Sequence, residues 1–273
     1  MLEDLDDDLL AVVTEVAGAG EQVVAAARAH PVAAVSLALL LRATADLDVA
    51  GALVAESATY STLQAGPEHQ AWLRERPRRD RRPPDGEPVR MARVGPRLRL
   101  TLDRPHVRNA FDAATRDGLL DGLAVAAADP SLSEIVIDGS GPSFCSGGDL
   151  DEFGTAPDPA TAHLVRVARS VGRAIHELRD RVTFVVHGAS VGAGVELAAF
   201  AGRVVARPDA TFRLPEVAMG LVPGAGGTVS IPRRVGMRRA AWLALTGNAI
   251  DAATALDWGL VDEIDETEGA IGG

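Results

Sequence analysis

The sequence predicts an α/β architecture, and three features of its patterning predict it. From about residue 92 onward, short apolar strands alternate with helical stretches, the order from which sheets covered by helices are built. Before that, residues 5–75 carry apolar side chains at helical spacing. Between the two lies 77–91, PRRDRRPPDGEPVRM, rich in Pro, Arg and Asp and poor in apolar residues, which reads as a linker. The chain therefore divides into a helical segment over 1–76, a linker over 77–91 and a core over 92–273.

Taken in order, Leu9, Val12, Val13 and Val16 recur at helical spacing, and Val23, Val24 and Ala27 follow. Pro31 suits the first turn of a second helix running to about Ala45. A third helix spans about Val49 to Leu63 and passes through Glu56, with Gly66-Pro67 as a break. In the core, Leu98, Leu100 and Leu102 alternate with polar residues as a half-buried strand should. Residues 112–127 read as a helix, followed by the strand Ile135-Val136-Ile137. A further helix carries Leu164, Val167, Val171, Ile175 and Leu178 on one face. The strand Phe184-Val185-Val186 then leads into a glycine-rich turn and another helix.

Composition narrows the function classes. Apolar residues make up 47% of the chain and aromatic ones only 4%, so Ala, Val and Leu must fill the core. The longest apolar stretch, Pro31 to Leu41, is short of the about 20 residues a membrane span needs. The first residues, Met1-Leu-Glu-Asp-Leu-Asp-Asp-Asp, are acidic where a signal peptide is basic, so a soluble cytoplasmic protein is expected. A net charge of −11 argues against nucleic-acid binding, and the short basic run 74–82 does not reverse that. A single cysteine excludes an internal disulfide, and the six histidines lack metal-ligand spacing.

Three segments carry chemistry. They are Ser143-Phe-Cys-Ser-Gly-Gly-Asp149 after a strand, His187-Gly-Ala-Ser-Val-Gly-Ala-Gly-Val-Glu196 opening a helix, and Phe212-Arg-Leu-Pro-Glu216 running on to Gly224-Ala-Gly-Gly227. Glycines let the backbone approach a ligand closely, and the first turn of a helix leaves N–H groups unpaired and partly positive. Cys145 alone reads as a small buried residue, Asp149 as a turn or cap residue, and Tyr60 and Trp72 as packing residues.

In this order and spacing, the three segments resemble the enoyl-CoA hydratase (crotonase) superfamily. Arg104-Pro-His-Val-Arg-Asn-Ala110 and Leu245-Thr-Gly247 to Ala255-Leu-Asp-Trp-Gly-Leu-Val261 resemble its flanking motifs. The resemblance implies the crotonase (ClpP-like) spiral of repeated ββα units with additional helices. It implies an oxyanion hole made by the backbone N–H groups of Ser146 and Ala193, which would stabilise charge developing on a thioester carbonyl. Glu196 and Glu216 match the two positions that are glutamate in the hydratases, and Gly224 matches a backbone donor that holds water. A coenzyme A contact set of Arg104, Val107, Arg108, Cys145, Gly147, Asp149 and Gly192 is implied as well, as are an acyl-CoA substrate, no separate cofactor and no metal. A homotrimer or dimer of trimers follows from the same resemblance.

Residues 7–73 resemble helices that relatives carry after the segment matching Gly259-Leu-Val-Asp262, so a circular permutation is expected, with 77–91 joining the two parts; the alternative is an unrelated helical prefix on a truncated core. Hydration of a 2-enoyl-CoA is the leading function, because adding water across a double bond needs one carboxyl group to take a proton and another to give one. Alternatives within the same fold are double-bond isomerisation and aryl-acetyl-CoA oxygenation. A non-catalytic acyl-CoA-binding scaffold is the alternative of another class; loss of either glutamate would favour it, and neither is lost.

Overall fold

In the computed structural model, residues 7–76 and 86–266 are described; most of the expected linker, 77–85, lies outside them. Five helices come first: α1 (Asp7–Ala17), α2 (Glu21–Ala29), α3 (Pro31–Ala43), α4 (Val49–Gln64) and α5 (Pro67–Glu75). The pattern that reads as one helix over Leu9 to Ala27 is broken at Gly18, whose φ of +92° no helix accommodates. Pro31 and Pro67 stand in the first turns of α3 and α5, and the Asp48 carboxylate caps α4 by accepting from Gly51 N at 2.7 Å.

The core begins with the antiparallel pair β1 (Val89–Val94) and β2 (Arg97–Leu102), then α6 (Ala113–Ala128) and β3 (Glu134–Gly139). Val89–Met91 thus belong to a strand rather than to the linker. Every residue of β1 after Val89 is exposed, so the segment carries no inward apolar alternation to mark it. Two helices follow, α7 (Pro159–Ala168) and α8 (Val171–Glu177), where one was expected. The chain breaks at Arg169–Ser170, and the Ser170 hydroxyl caps α8 by accepting from Arg173 N at 3.2 Å.

Then come β4 (Val182–Val186), β5 (Ala189–Val191), α9 (Ala193–Ala198), β6 (Arg203–Ala206) and β7 (Thr211–Arg213), followed by α10 (Gly227–Val235), α11 (Met237–Thr246), β8 (Ile250–Asp251), α12 (Ala252–Trp258) and β9 (Glu263–Ile264). One sheet runs β1-β2-β3-β4-β6-β9, parallel except for its first pair, and a smaller one runs β5-β7-β8. Successive strand pairs therefore feed one strand to each sheet before a helix, the repeated ββα unit. Among the described residues no single helix is long and apolar enough to cross a membrane.

The N-terminal helices pack on this core. Helix α1 lies against α3 and α11, and α4 lies along α7 and reaches α10. The cross-links are polar as well as apolar. The Ser61 hydroxyl donates to Pro159 O at 2.7 Å, the Arg166 guanidinium stacks 4.7 Å over the Tyr60 ring, and His69 Nδ1 meets Met219 O at 2.9 Å. His69 stacks on Trp72 at 5.6 Å, and Trp72 packs against Phe153.

Candidate active site

A cavity of about 520 Å³ opens between α4, α7 and α8 and the starts of α9 and α10. The three glycine-rich segments converge on it, and Gly148, Ala193, Glu196, Glu216 and Gly224 all line its wall.

The first segment is held from below by Asn109, buried with φ +54°. Its amide donates to Ser140 O, Ser143 O and Phe144 O and its oxygen accepts from Arg104 N, so one side chain fixes both ends of the turn. Beyond it, the Cys145 sulfur takes the N–H groups of Gly147 and Gly194. Among the described residues the N–H groups of Gly148 and Ala193 have no acceptor, and both residues line the cavity. Ser146 cannot take the place expected of it: its N–H donates to Arg108 O at 2.9 Å. The free donor in this turn is Gly148, two residues on. Burial pushes the Cys145 thiol up to about 12, in keeping with a small packing residue.

The second segment turns at Gly192, with φ +48° and ψ −118°. A Cβ there would overlap Glu216 Oε1 and come 3.5 Å from Gly147 Cα, so the turn brings the first and third segments together. Glu196, one turn into α9, is buried, and its Oε2 accepts from Ala225 N at 2.7 Å and Gly227 N at 2.8 Å. Burial pushes its carboxyl up to about 7, against the pull of those two donors. Glu216 stands at the start of a 3-10 turn, Glu216–Met219; its Oε2 is sealed with no partner among the described residues. Burial, and then the Glu196 charge, hold its carboxyl well above the ordinary range. The two glutamates thus have opposite surroundings, one rich in donors and one without any at its buried oxygen. Gly224 carries a third N–H with no acceptor among the described residues, and the Tyr60 ring lies against its Cα.

The expected coenzyme A set is placed differently. Arg104 is buried and spent on protein groups, pairing with Asp112 at 2.9 Å and Asp149 at 3.1 Å and donating to Ala110 O, so it offers a phosphate nothing. Asp149 also caps the next turn through Asp151 N, the cap role its position suggests. Cys145, Gly147 and Gly192 shape the backbone from behind the wall, while Val107 and Arg108 are exposed. Two residues of the site come from α4, which reads simply as helix: Tyr60, and Glu56, whose carboxylate is buried among the residues of the third segment. A lone glutamate in the run Ala52-Leu-Val-Ala-Glu-Ser-Ala58 is the signal that was available. Among the described residues no group of three or more His, Cys, Asp or Glu side chains could hold a metal ion.

The chain belongs to the enoyl-CoA hydratase/isomerase family, whose model matches residues 98–269. It is similar to the 2,3-dehydroadipyl-CoA hydratase of Escherichia coli (strain K12), 38% identical over 167 residues that cover 61% of this chain and 65% of that protein. The trans-2-decenoyl-[acyl-carrier-protein] isomerase of Streptococcus mutans is 35% identical over 62% of this chain and 66% of its own length. The chain thus spans about two thirds of the length of these curated relatives. Among solved structures, the enoyl-CoA hydratase from Thermoplasma volcanium superposes with a TM-score of 0.62 at 34% identity, covering 67% of this chain and 73% of that one. The fold is the crotonase spiral with additional helices.

Proposed function

We propose that this chain adds water across the double bond of a 2-enoyl thioester of coenzyme A. One observation carries the reading: the two glutamates on the cavity wall differ in what their oxygens meet. Glu196, with two peptide donors on Oε2, is the better held as a carboxylate and keeps Oε1 for a water that the Gly224 N–H also contacts. Glu216, with a donor-free buried oxygen, is the better held as a carboxylic acid.

The step then balances. The thioester carbonyl sits between the N–H groups of Gly148 and Ala193. Water attacks Cβ as its proton passes to Glu196, and the double-bond electrons move onto the carbonyl oxygen as an enolate. The enolate collapses by taking the Glu216 proton at Cα. Glu196 leaves the cycle protonated and Glu216 ionised, and exchange with solvent resets both. Preorganised peptide donors cost no reorganisation as the oxyanion forms, which is why the backbone carries that role.

We also read 1–76 as the helices that relatives carry at the other end of the chain, joined here through 77–88. Support comes from the seating of α4 and α5 against the cavity and Phe153. Double-bond isomerisation is the second reading, supported by the similarity to an isomerase and by the fact that one carboxylate suffices to move a proton between carbons.

A panel of 2-enoyl-CoA substrates of increasing chain length, followed by loss of the enoyl thioester absorbance and by mass, tests the function. Glu196→Gln and Glu216→Gln should each lower hydration by about 10²–10⁴-fold, the range for a general acid or base. If Glu216→Gln keeps full hydration while Glu196→Gln loses it, the two-carboxylate mechanism is wrong and the isomerase reading takes its place.

A further inference from the structure

Four consecutive peptides open α10, and two carboxylates divide them. Ala225 N and Gly227 N donate to Glu196 Oε2. Gly226 N donates to Glu56 Oε1 at 2.7 Å, and Thr228 donates to Glu56 Oε2 through its N–H at 2.9 Å and its hydroxyl at 2.7 Å. The alternation falls in the turn that leads into α10, where Gly226 has φ +105°; α9 supplies one carboxylate and α4 the other. A Cβ on Gly227 would come within 2.6 Å of Glu196 Cγ, so the glutamate lies directly on the loop it grips.

We propose that Glu56 is a positioning residue of this site, one that sets how readily Glu196 gives and takes a proton by holding the same helix start from the other side. The proposal rests on Glu196 being the base of the reaction. A helix N-terminus offers partial positive charge equivalent to about half a proton, enough to favour one anion but opposed by a second beside it. Glu56 is fully buried among the donors it uses, and burial, with the Glu196 charge next, pushes its carboxyl up to about 8.

The groups facing this pair are few. Glu216 feels both Glu56 and Glu196, Tyr60 feels all three, and Thr228 donates to Glu56. From α7, Arg166 supplies a cation whose charge favours ionisation of Glu56. Glu56 and Glu196 therefore titrate as a unit, and ionising one makes the other harder to ionise. Both Glu56 oxygens are engaged by the start of α10, and the residue acts through Glu196.

The test is Glu56→Gln in the full chain, read two ways. The first is the pH profile of turnover on crotonyl-CoA or the best substrate of the panel. The acid-side midpoint should fall, because the base then loses its proton with no second carboxyl group at the same helix start to share the ionisation. A uniform loss of rate with an unmoved midpoint would mean that Glu56 only braces the loop, and the proposal would be overturned. The second needs no substrate: an infrared titration of protonated carboxyl groups over about pH 6–9.

Glu56→Gln should remove one titrating carboxyl in that range and lower the midpoint of Glu196. Glu196→Gln should lower the midpoint of Glu56 by more, because Glu196 is the group already ionised when Glu56 titrates. Independent midpoints overturn the proposal. If Glu56→Gln does not fold, Glu196→Gln still reports the coupling on a chain that retains Glu56. Thr228→Val, which deletes one donor to Glu56, should then move the acid-side midpoint of turnover down. If Glu196→Gln keeps full turnover, the hydratase reading fails, and the infrared coupling still decides for or against Glu56.

Discussion

Gly192 leaves no room for a Cβ, because the space is taken by Glu216 Oε1. The contact ties the turn before α9 to the carboxyl group that is to deliver a proton, and Ala193, the next residue, presents its N–H to the same cavity. Gly192→Ala should therefore damage both functions. With φ +48° and ψ −118° the position strains any side chain by about 1–3 kcal/mol, and relief of the clash requires Glu216 to swing away. Turnover should fall by about 10²-fold or more, the scale of a lost acid or oxyanion donor, with a smaller loss in thermal midpoint. A variant with wild-type turnover would show that Glu216 is not held where the mechanism needs it.

Glycine-rich turns announced this neighbourhood because only such sequences let three backbones pass so close. Leu98, Leu100 and Leu102 likewise announced their strand, being buried on one face. Other features left no trace. Ser146, Gly147 and Gly148 all supply an N–H within one turn, and which is free depends on where the others go. Arg108 O reaches Ser146, the Cys145 sulfur takes Gly147, and only Gly148 is left. The first of these decisions is tertiary, since Arg108 lies in a separate segment. The resemblance implies a coenzyme A contact for Arg104, and nothing local in the sequence shows that Asp112 and Asp149 converge on it. Glu56 lies 140 residues before Glu196, and nothing local says that α4 returns to α10.

The reassigned oxyanion donor gives a sharp contrast. Ser146→Ala should leave turnover within about twofold, since its backbone N–H is spent on Arg108 O and a surface change of this size is normally small. Ala193→Pro should cost about 10²–10³ in turnover, the price of one lost donor. The fold should survive, because Ala193 is the first residue of α9, a position where proline suits a helix. Circular dichroism and steady-state rates on the two variants settle the point. A large loss in Ser146→Ala would show instead that the Ser146 hydroxyl, which donates to Val107 O, is needed to hold the turn, because the substitution leaves the backbone N–H in place.

Hydration should follow a bell-shaped pH profile. Glu196 must be ionised to accept a proton, so the rate should fall as pH drops through about 7. Glu216 must be protonated to give one, and its carboxyl is held well above the ordinary range, so the rate should fall again on the alkaline side. The residual rate of Glu216→Gln should keep the acid limb and lose the alkaline one. An alkaline limb unchanged in that variant would assign it to another group.

We expect the chain to associate as trimers. Val54 on α4 and Leu164 and Val165 on α7 form exposed apolar surface beside the cavity, with Leu164 67% exposed. Analytical ultracentrifugation should give three times the chain mass of 28.4 kDa, or six times, at micromolar concentration. Leu164→Asp should shift the distribution to smaller species if this face is the interface. A wild-type chain that sediments as a stable monomer would count against the trimer.

The last prediction concerns the order of the parts. Helices α1 to α5 are bound to the core through contacts that do not depend on which end of the core they are attached to. The Glu56 carboxylate grips α10, the His69 ring meets Met219 O, and Ser61 meets Pro159 O. The connection between α5 and β1 is the alternative to a connection running from the end of the core into α1. Cutting the first and making the second, so that residues 86–266 precede 7–76 through a flexible Gly/Ser linker, should leave the folded contacts intact. The rearranged chain should show the same helical content by circular dichroism and retain turnover within about tenfold. Stability should change little from the loops themselves, because one connection replaces another and each doubling of loop length costs only about 0.6 kcal/mol. Removing 7–76 altogether should do far more harm, since it uncovers the start of α10 and deletes both Glu56 and Tyr60 from the cavity wall. A rearranged chain that fails to fold, beside a truncated core that folds and turns over, would show that the helices are an appendage rather than a displaced part of the enzyme.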